Sequence, residues 1–394
     1  MSRELLDLSP DLLKLRNEGY EIAILQNYAV VSNVPYLNSQ MKVDRATLVA
    51  KLIVTGDKAG IPDNHVISFG GSFPYRANGE KFTNLGGPGS KQKIGSDLVV
   101  NFQFSQKPAS GKYANYYEKF TTYIAIFENE AKEIDPTVTA RTYRIVESEK
   151  QDSIFNYPDT NSSRAEINMI SEKLRGYKIG IIGLGGTGSY VLDFVAKTPV
   201  AEIHLFDSDE FLAHNAFRSP GAPTMEELNL KQNKVLYFRD IYSKMRKNIH
   251  AHTEKICLNN LHQLDKLDFI FICIDQGFIK SKIFKRLEEV NVDFIDVGMG
   301  LGVENGAIDG IIRTTASTSL MRNHIYDKKL ISLEDEDAAD DYSSNIQIAE
   351  LNCLNATLAV IKWKKTLGFY VDTVKEHSSL YSIGDNNFHY DDEA

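Results

Sequence analysis

GYKIGIIGLGGTGSYVLDFVAKTPVAEIHLFDSDE (residues 176–210) is the stretch on which the fold of this chain turns. Its apolar run KIGIIGL reads as a strand that stops at clustered glycines. GSYVLDFVAKT then reads as a helix, and EIHLFD as a second strand. Gly183, Gly185, Gly186 and Gly188 stand at the strand-to-helix turn. Glycines there let the backbone approach phosphate oxygens, and the helix N-terminus supplies N–H groups and positive dipole charge. The alternative is a tight turn with no ligand. Asp207 ends the second strand, where a ribose-binding acid belongs in an NAD enzyme and in an ATP enzyme alike.

The alternation continues downstream. TMEELNLKQNKVLYFRDIYSKM reads as helical, DFIFICID as a strand, SKIFKRLEEV as a helix and DFIDVGM as a strand. Strands alternating with helices of this length predict an α/β domain with a doubly wound, Rossmann-like parallel sheet. GAIDGIIRTTAS, an acidic run LEDEDAADD and a helix NIQIAELNCLNATLAVIKWKKTL follow. Upstream, residues 1–150 begin with an amphipathic helix on which Leu5, Leu6, Leu12, Leu13 and Leu15 share a face. YAVVSNVPYL, ATLVAKLIV, HVISFGG, DLVVNFQF and YYEKFTTYIAIF then read as β-like runs. GGSFPYRANGEKFTNLGGPGSKQ between them reads as turns. The expected organisation is a separate α+β domain (1–150), a polar linker (151–163), the nucleotide-binding domain (164–380) and a polar tail (381–394).

The glycine loop alone does not name the ligand; the residues after Asp207 do more. FDSDEFLAHNAFRSPGA places Asp209, Asn215 and Arg218 close behind it, and Lys234 follows. Asp275 ends the apolar run FIFICID. In a doubly wound sheet these positions lie at the strand C-terminal ends, the ligand edge. A dehydrogenase does not need so many charges beside its pyrophosphate, whereas a triphosphate does. Arg and Lys neutralise developing phosphate charge, and a carboxylate such as Asp275 suits Mg²⁺. Taken singly, Asp209 and Arg218 are also compatible with a surface ion pair, and Lys234 with a solvated helix position.

Together the segment resembles the ThiF-like superfamily of ubiquitin-activating and sulfur-carrier-activating adenylyltransferases. The pattern of that family is GxGGxG, DxD, N-x-x-R, a lysine, and an aspartate after an apolar strand. Here these are Gly183-Gly185-Gly186-Gly188, Asp207-Ser208-Asp209, Asn215 with Arg218, Lys234 and Asp275. The resemblance implies that Asp207 binds the ATP ribose, that Asn215, Arg218 and Lys234 contact phosphates, and that Asp275 binds Mg²⁺. It implies a cross-subunit arginine, for which Arg164 is the candidate, and therefore a homodimer. The implied reaction is ATP- and Mg²⁺-dependent adenylation of the C-terminal carboxylate of a ubiquitin-like protein, in a bacterial conjugation pathway. An NAD(P)-dependent oxidoreductase and an inactive nucleotide-binding scaffold are the alternatives.

Many relatives then pass the acyl group to a cysteine. Cys273 lies inside an apolar run, Cys257 in EKICLNN reads as a strand end, and Cys353 lies on a helix among Ile346, Ile348, Leu351, Leu354 and Leu358. Cys353 is the candidate nucleophile, with packing as its alternative role. The segment from Arg313 to Ser344 holds no cysteine but offers Thr314, Thr315, Ser317, Thr318 and Ser319 as hydroxyls. The acidic run Glu334–Asp341 reads as a solvated loop.

Composition bounds the rest. The 394 residues carry a formal net charge of −9, which argues against nonspecific nucleic-acid binding. Three scattered cysteines suggest neither a disulfide framework nor a four-cysteine zinc site. No apolar run fits a signal peptide or a membrane span, so the expectation is a cytoplasmic protein. His65 and the group Tyr113, Tyr116 and Tyr117 read as structural. By resemblance to bacterial proteins found beside ubiquitin-like conjugation components, residues 1–150 are expected to recruit the ubiquitin-like protein or a conjugating enzyme.

Overall fold

The computed structural model describes residues 2–83, 85–94, 98–144, 154–157, 159, 161–162, 165, 167–333 and 346–390. The chain divides into two compact units, 1–153 with 157–166, and 154–156 with 167–394.

The first unit is built on an antiparallel sheet. Its strands are β1 (Glu21–Leu25), β2 (Tyr28–Leu37), β3 (Val43–Lys51), β6 (Val66–Gly70), β7 (Gly86–Ile94) and β8 (Leu98–Ser105). Their spatial order is β1-β2-β3-β6-β8-β7, and β4 (Val54–Thr55) and β5 (Lys58–Ala59) form a small ribbon beside them. YYEKFTTYIAIF, expected as a strand, is the front of a 17-residue helix, Tyr116–Lys132. Its aromatic and β-branched residues favour strands by propensity. Local capping and periodicity prevail: the Asn115 side chain accepts the Glu118 N–H, and Tyr116, Phe120, Tyr123 and Phe127 recur at helical spacing on the buried face. Of these rings Phe127 meets Phe69 and Phe104 edge-to-face, at 5.1 Å and 5.4 Å. The Tyr116 hydroxyl donates to the Lys51 carbonyl at 2.7 Å, a structural role as expected. Two further expectations fail here. The opening helix is two helices, Ser2–Leu8 and Pro10–Asn17, because Pro10 cannot continue the first. The glycine-rich stretch after Leu85 is strand β7 rather than turn, since pairing with β8 overrides its composition.

The second unit carries an eight-stranded sheet. Its strands are β9 (Lys178–Ile182), β10 (Glu202–Phe206), β11 (Ile249–His252), β12 (Phe269–Ile272), β13 (Asp293–Glu304), β14 (Ala307–Ser317), β15 (Ser378–Ser382) and β16 (Asn387–Tyr390). The order is β11-β10-β9-β12-β13-β14-β15-β16. The first five strands are parallel and the last three run antiparallel to their neighbours. The chain enters the parallel part at its middle strand, β9. It winds outward through β10 and β11, then returns to the other side through β12 and β13. This is the expected doubly wound, Rossmann-like sheet, with its reversal between β9 and β12. One face is covered by the helix Gly186–Ala196 and the long helix Ala349–Thr366, around Trp363 and Phe271. The other is covered by Gly277–Glu289, around Phe284 and Ile270.

The segment 224–245 holds two helices, Met225–Asn229 and Lys234–Tyr242, instead of one. The break falls at Lys231, whose φ of 45° leaves the helical region. The polar tail expected from residue 381 continues the sheet as the β15–β16 hairpin, whose edge position tolerates polar residues. Cys257 lies in a turn five residues past β11 rather than at its end. No helix of the described residues is long and apolar enough to cross a membrane.

Candidate functional site

In a doubly wound sheet the crevice opens at the carboxyl ends of the strands flanking the reversal. Here those ends are Gly183–Gly185 after β9 and Cys273–Asp275 after β12. Gly183 turns the chain at φ 86°. Its N–H donates to the Phe206 carbonyl at 2.8 Å. A Cβ on Gly188 would stand 1.9 Å from the Gly183 carbonyl oxygen, and one on Gly186 would stand 2.0 Å from Asn352 Nδ2. These two glycines therefore let the helix start directly on the turn. Gly185 is the N-cap and supplies no side-chain acceptor, so the first N–H groups of the 11-residue helix are left to the crevice.

A cavity of about 690 Å³ lies there, within the range of ligand pockets. Gly183, Gly185, Gly186, Asp207, Asp209, Arg218, Lys234 and Asp275 all line it. Asp207 is fixed by the Leu184 N–H at 2.6 Å and the Asp209 N–H at 2.9 Å. Lys234 opens its helix and is only 6% exposed. Its ammonium lies 2.7 Å from Asp209 Oδ2 and 3.9 Å from Asp207 Oδ2. Burial pushes the Arg218 guanidinium below its ordinary pKa, opposed by the carboxylates of Asp209 and Asp275. Its Nε has no hydrogen-bond partner among the described residues. A buried donor without a partner costs about 1–3 kcal/mol, and an anion in the cavity would relieve that cost.

Two of the expected residues are placed differently. Asn215 is buried but does not line the cavity. Its Oδ1 accepts the Leu212 N–H at 2.9 Å, and its carbonyl accepts the Arg218 N–H at 3.1 Å. It shapes the turn that presents Arg218. Cys353 is half-buried on its helix beside Tyr190 and does not line the cavity. Its helical neighbours Asn352 and Asn355 point there instead. Cys273 borders the cavity, but burial pushes its thiol pKa far up, which keeps it protonated. Thr315 is buried in β14 and bonded to Ser378 at 3.0 Å, so its hydroxyl is structural. Arg164 and the acidic run Glu334–Asp341 lie outside the described residues.

Sequence reasoning missed the far wall. Asp296 on β13 is fully buried. Lys280 Nζ lies 3.0 Å from its Oδ1, without alignment for a hydrogen bond, and Arg313 donates to its Oδ2 at 2.5 Å. Arg313 also donates to Thr315 Oγ1 at 2.9 Å. Both cations line the cavity, so this group presents a net positive charge to it. The signal was available: an aspartate inside the apolar run DFIDVGM requires a buried counter-ion. Asn352 anchors the other wall, accepting from Thr187 at 3.0 Å and donating to the Arg218 carbonyl at 3.4 Å.

The fold and the site define the class, a Rossmann-like domain whose crevice at the sheet reversal gathers both cations and carboxylates. Residues 157–311 match the ThiF family, and residues 10–160 match a domain of unknown function, DUF6791. The ThiF match thus falls mainly on the second unit and the DUF6791 match on the first. The ubiquitin-like modifier-activating enzyme 5 of Branchiostoma floridae is 22% identical over 151 residues, which are 36% of this chain and 37% of that protein. The enzyme of the same name from Gallus gallus is 23% identical over 153 residues, 36% and 38% of the two chains. The chain therefore matches under two-fifths of the length of these relatives. Among solved structures, E. coli MccB with ATP is 17% identical, covering 59% of this chain and 72% of that one at a TM-score of 0.45. E. coli MccB with AMPCPP and MccA is 16% identical, covering 78% and 96% at 0.46.

Two outcomes follow from the geometry. Gly188→Ala forces a backbone clash and abolishes nucleotide binding, whereas Gly186→Ala displaces only the Asn352 side chain and retains weakened binding; equilibrium titration with ATP separates them. Asp296→Asn leaves the buried Lys280 and the partly buried Arg313 without their counter-charge and lowers the unfolding free energy by about 3–5 kcal/mol, measured by urea denaturation.

Proposed function

We propose that this chain uses ATP and Mg²⁺ to adenylate the C-terminal carboxylate of a ubiquitin-like protein. The observation that carries the reading is the placement of Arg218, Lys234 and Asp275 around the glycine turn at the sheet reversal. The ThiF match supports the adenylating class, and the names of the curated relatives support the ubiquitin-like substrate.

In the proposed reaction a carboxylate oxygen of the partner attacks the α-phosphorus of ATP. The bond from that phosphorus to the bridging oxygen breaks, pyrophosphate leaves, and an acyl adenylate remains. The glycine turn and the helix N-terminus hold the phosphates by backbone N–H groups. Asp207, held by two backbone N–H groups, is placed to accept from the ribose. Arg218 and Lys234 offset the negative charge that grows on the phosphates. Asp275 fits a magnesium ligand, because that ion takes one or two carboxylates and completes its shell with phosphate oxygens and water. Bound there, Mg²⁺ would neutralise phosphate charge. Lys280 and Arg313, held on Asp296, extend the cationic wall toward the antiparallel strands, where an incoming carboxylate would be steered.

No cysteine among the described residues is both at the cavity and ionisable at neutral pH, so we place the end of this chain's chemistry at the adenylate or at direct transfer to a partner. Residues 1–150 are the proposed recruiting domain, and a homodimer is the proposed assembly. The relevant partner class is protein; the acidic chain offers no argument for nucleic acid.

Calorimetry tests the nucleotide reading. ATP with Mg²⁺ is expected to bind, NAD⁺ and NADH are not, and Asp275→Ala weakens ATP binding at least tenfold. NAD⁺ binding without ATP binding would turn the assignment to an oxidoreductase. With the partner present, ATP–pyrophosphate exchange is expected, and Cys353→Ala leaves it unchanged. Removing residues 1–150 is expected to lower transfer while ATP binding persists.

A further inference from the structure

The open edge of the second unit's sheet carries a cluster that the nucleotide cavity does not use. β10 and β11 pair in parallel with His204 opposite His250 and Phe206 opposite His252. Side chains alternate along a strand, so Glu202, His204, His250 and His252 all project from one face. His204 and His250 stack with ring centroids 4.6 Å apart. His252 stacks on Phe206 at 4.3 Å.

Their polar atoms converge. His204 Nε2 lies 3.0 Å from Glu202 Oε2, and His250 Nε2 lies 3.9 Å from the same oxygen. One ligand atom from each of the three residues falls within 4.8 Å of the other two. Ligands held at ~2.0–2.2 Å around one tetrahedral ion stand roughly 3.4 Å apart, so small side-chain rotations close the set. The surroundings suit such an ion. His204 Nδ1 lies 3.1 Å from His252 Nε2. A His204 that gives Nε2 to a metal can donate its Nδ1–H there, which fixes ring and tautomer. Lys178 Nζ pairs with Glu202 Oε1 at 3.1 Å, which leaves Oε2 turned to the histidines. A simple Glu–His hydrogen bond needs one histidine; here two ring nitrogens face one oxygen and a third histidine braces the first.

We infer that Glu202, His204 and His250 form a site for a late first-row divalent transition metal, with Zn²⁺ as the occupant and His252 as a positioning residue. Two imidazole nitrogens and one carboxylate oxygen are a borderline donor set that suits Zn²⁺ and not Mg²⁺. Three protein ligands leave one coordination position to solvent. The ion would tie the four-residue edge strand β11 to β10. None of these residues lines the glycine-loop cavity, so the site stands independently of the adenylation reading.

The test uses the full chain, stripped with chelator and titrated calorimetrically with ZnCl₂ in excess MgCl₂. One Zn²⁺ per chain is expected. Glu202→Gln and His250→Ala weaken it at least tenfold, His65→Ala in the first unit has no effect, and Lys178→Met tightens it by removing the competing cation. Zn²⁺ also raises the thermal midpoint of the wild type but not of His250→Ala. His250 is half-exposed, so that variant is expected to fold, which its metal-free midpoint verifies. Co²⁺ gives the visible absorption of a four-coordinate site in the wild type only. Absence of stoichiometric Zn²⁺ binding overturns the inference. So does binding that survives both Glu202→Gln and His250→Ala undiminished, because the ion would then sit on other groups.

Discussion

The second unit depends on one close backbone approach. The Gly188 Cα passes so near the Gly183 carbonyl that a Cβ would meet it at 1.9 Å. That approach sets the helix start on the strand end without an intervening loop. The helix N-terminus then faces the reversal of the sheet, where the chain leaves the paired strands β9 and β12 toward opposite faces. Every other element of the cavity is placed relative to this turn. Asp207 is tied to it through the Leu184 N–H, and Lys234 is tied to Asp207 and Asp209 in turn. A wider turn would point the helix elsewhere and leave these charges with nothing to surround.

The charges follow a second constraint. The chain as a whole is acidic, yet its crevice gathers Arg218, Lys234, Lys280 and Arg313. Cations at such density repel one another in a poorly solvated cleft. Carboxylates offset this: Asp209 beside Lys234, and Asp296 between Lys280 and Arg313. Asp296 has no exposure of its own, so its desolvation is compensated only by the two cations. Arg218 is the exception, with a buried Nε that no described residue satisfies. An anionic ligand would complete what the protein leaves open at that position.

Much of this was legible in the sequence because βαβ units write their geometry locally. The glycine spacing, the apolar runs and the acids at strand ends sit within a few residues of the contacts they make. Asp207, Asp209, Arg218, Lys234 and Asp275 therefore line one cavity, as read. Asn215, expected at a ligand, stands behind the cavity with its Oδ1 on its own turn and its Nδ2 without a described partner, since spacing does not tell which way a side chain faces. Lys280, Asp296 and Arg313 come from a helix and two strands, and only the sheet register joins them. The first unit was harder. YYEKFTTYIAIF satisfies strand propensity and helix periodicity at once, and the Asn115 cap decides between them. The β7 strand was hidden because its pairing with β8, not its glycine-rich composition, makes it a strand.

The sheet also separates two kinds of chemistry. Its parallel half ends in the glycine turn, Asp207 and Asp275, which suit phosphates and a hard cation. Its antiparallel part begins where β14 pairs with β13, and there the cavity wall becomes the Lys280–Asp296–Arg313 group and the neighbouring residues Gly298 and Gly300. Antiparallel strands need no crossover helices; here the long helix Ala349–Thr366 packs on β13 and β14, and β15 and β16 extend the sheet past them. An extended polypeptide tail could reach the cavity along that side while ATP is held from the other. The proposed adenylation needs that division, because the attacking carboxylate and the departing pyrophosphate must lie on opposite sides of the α-phosphorus.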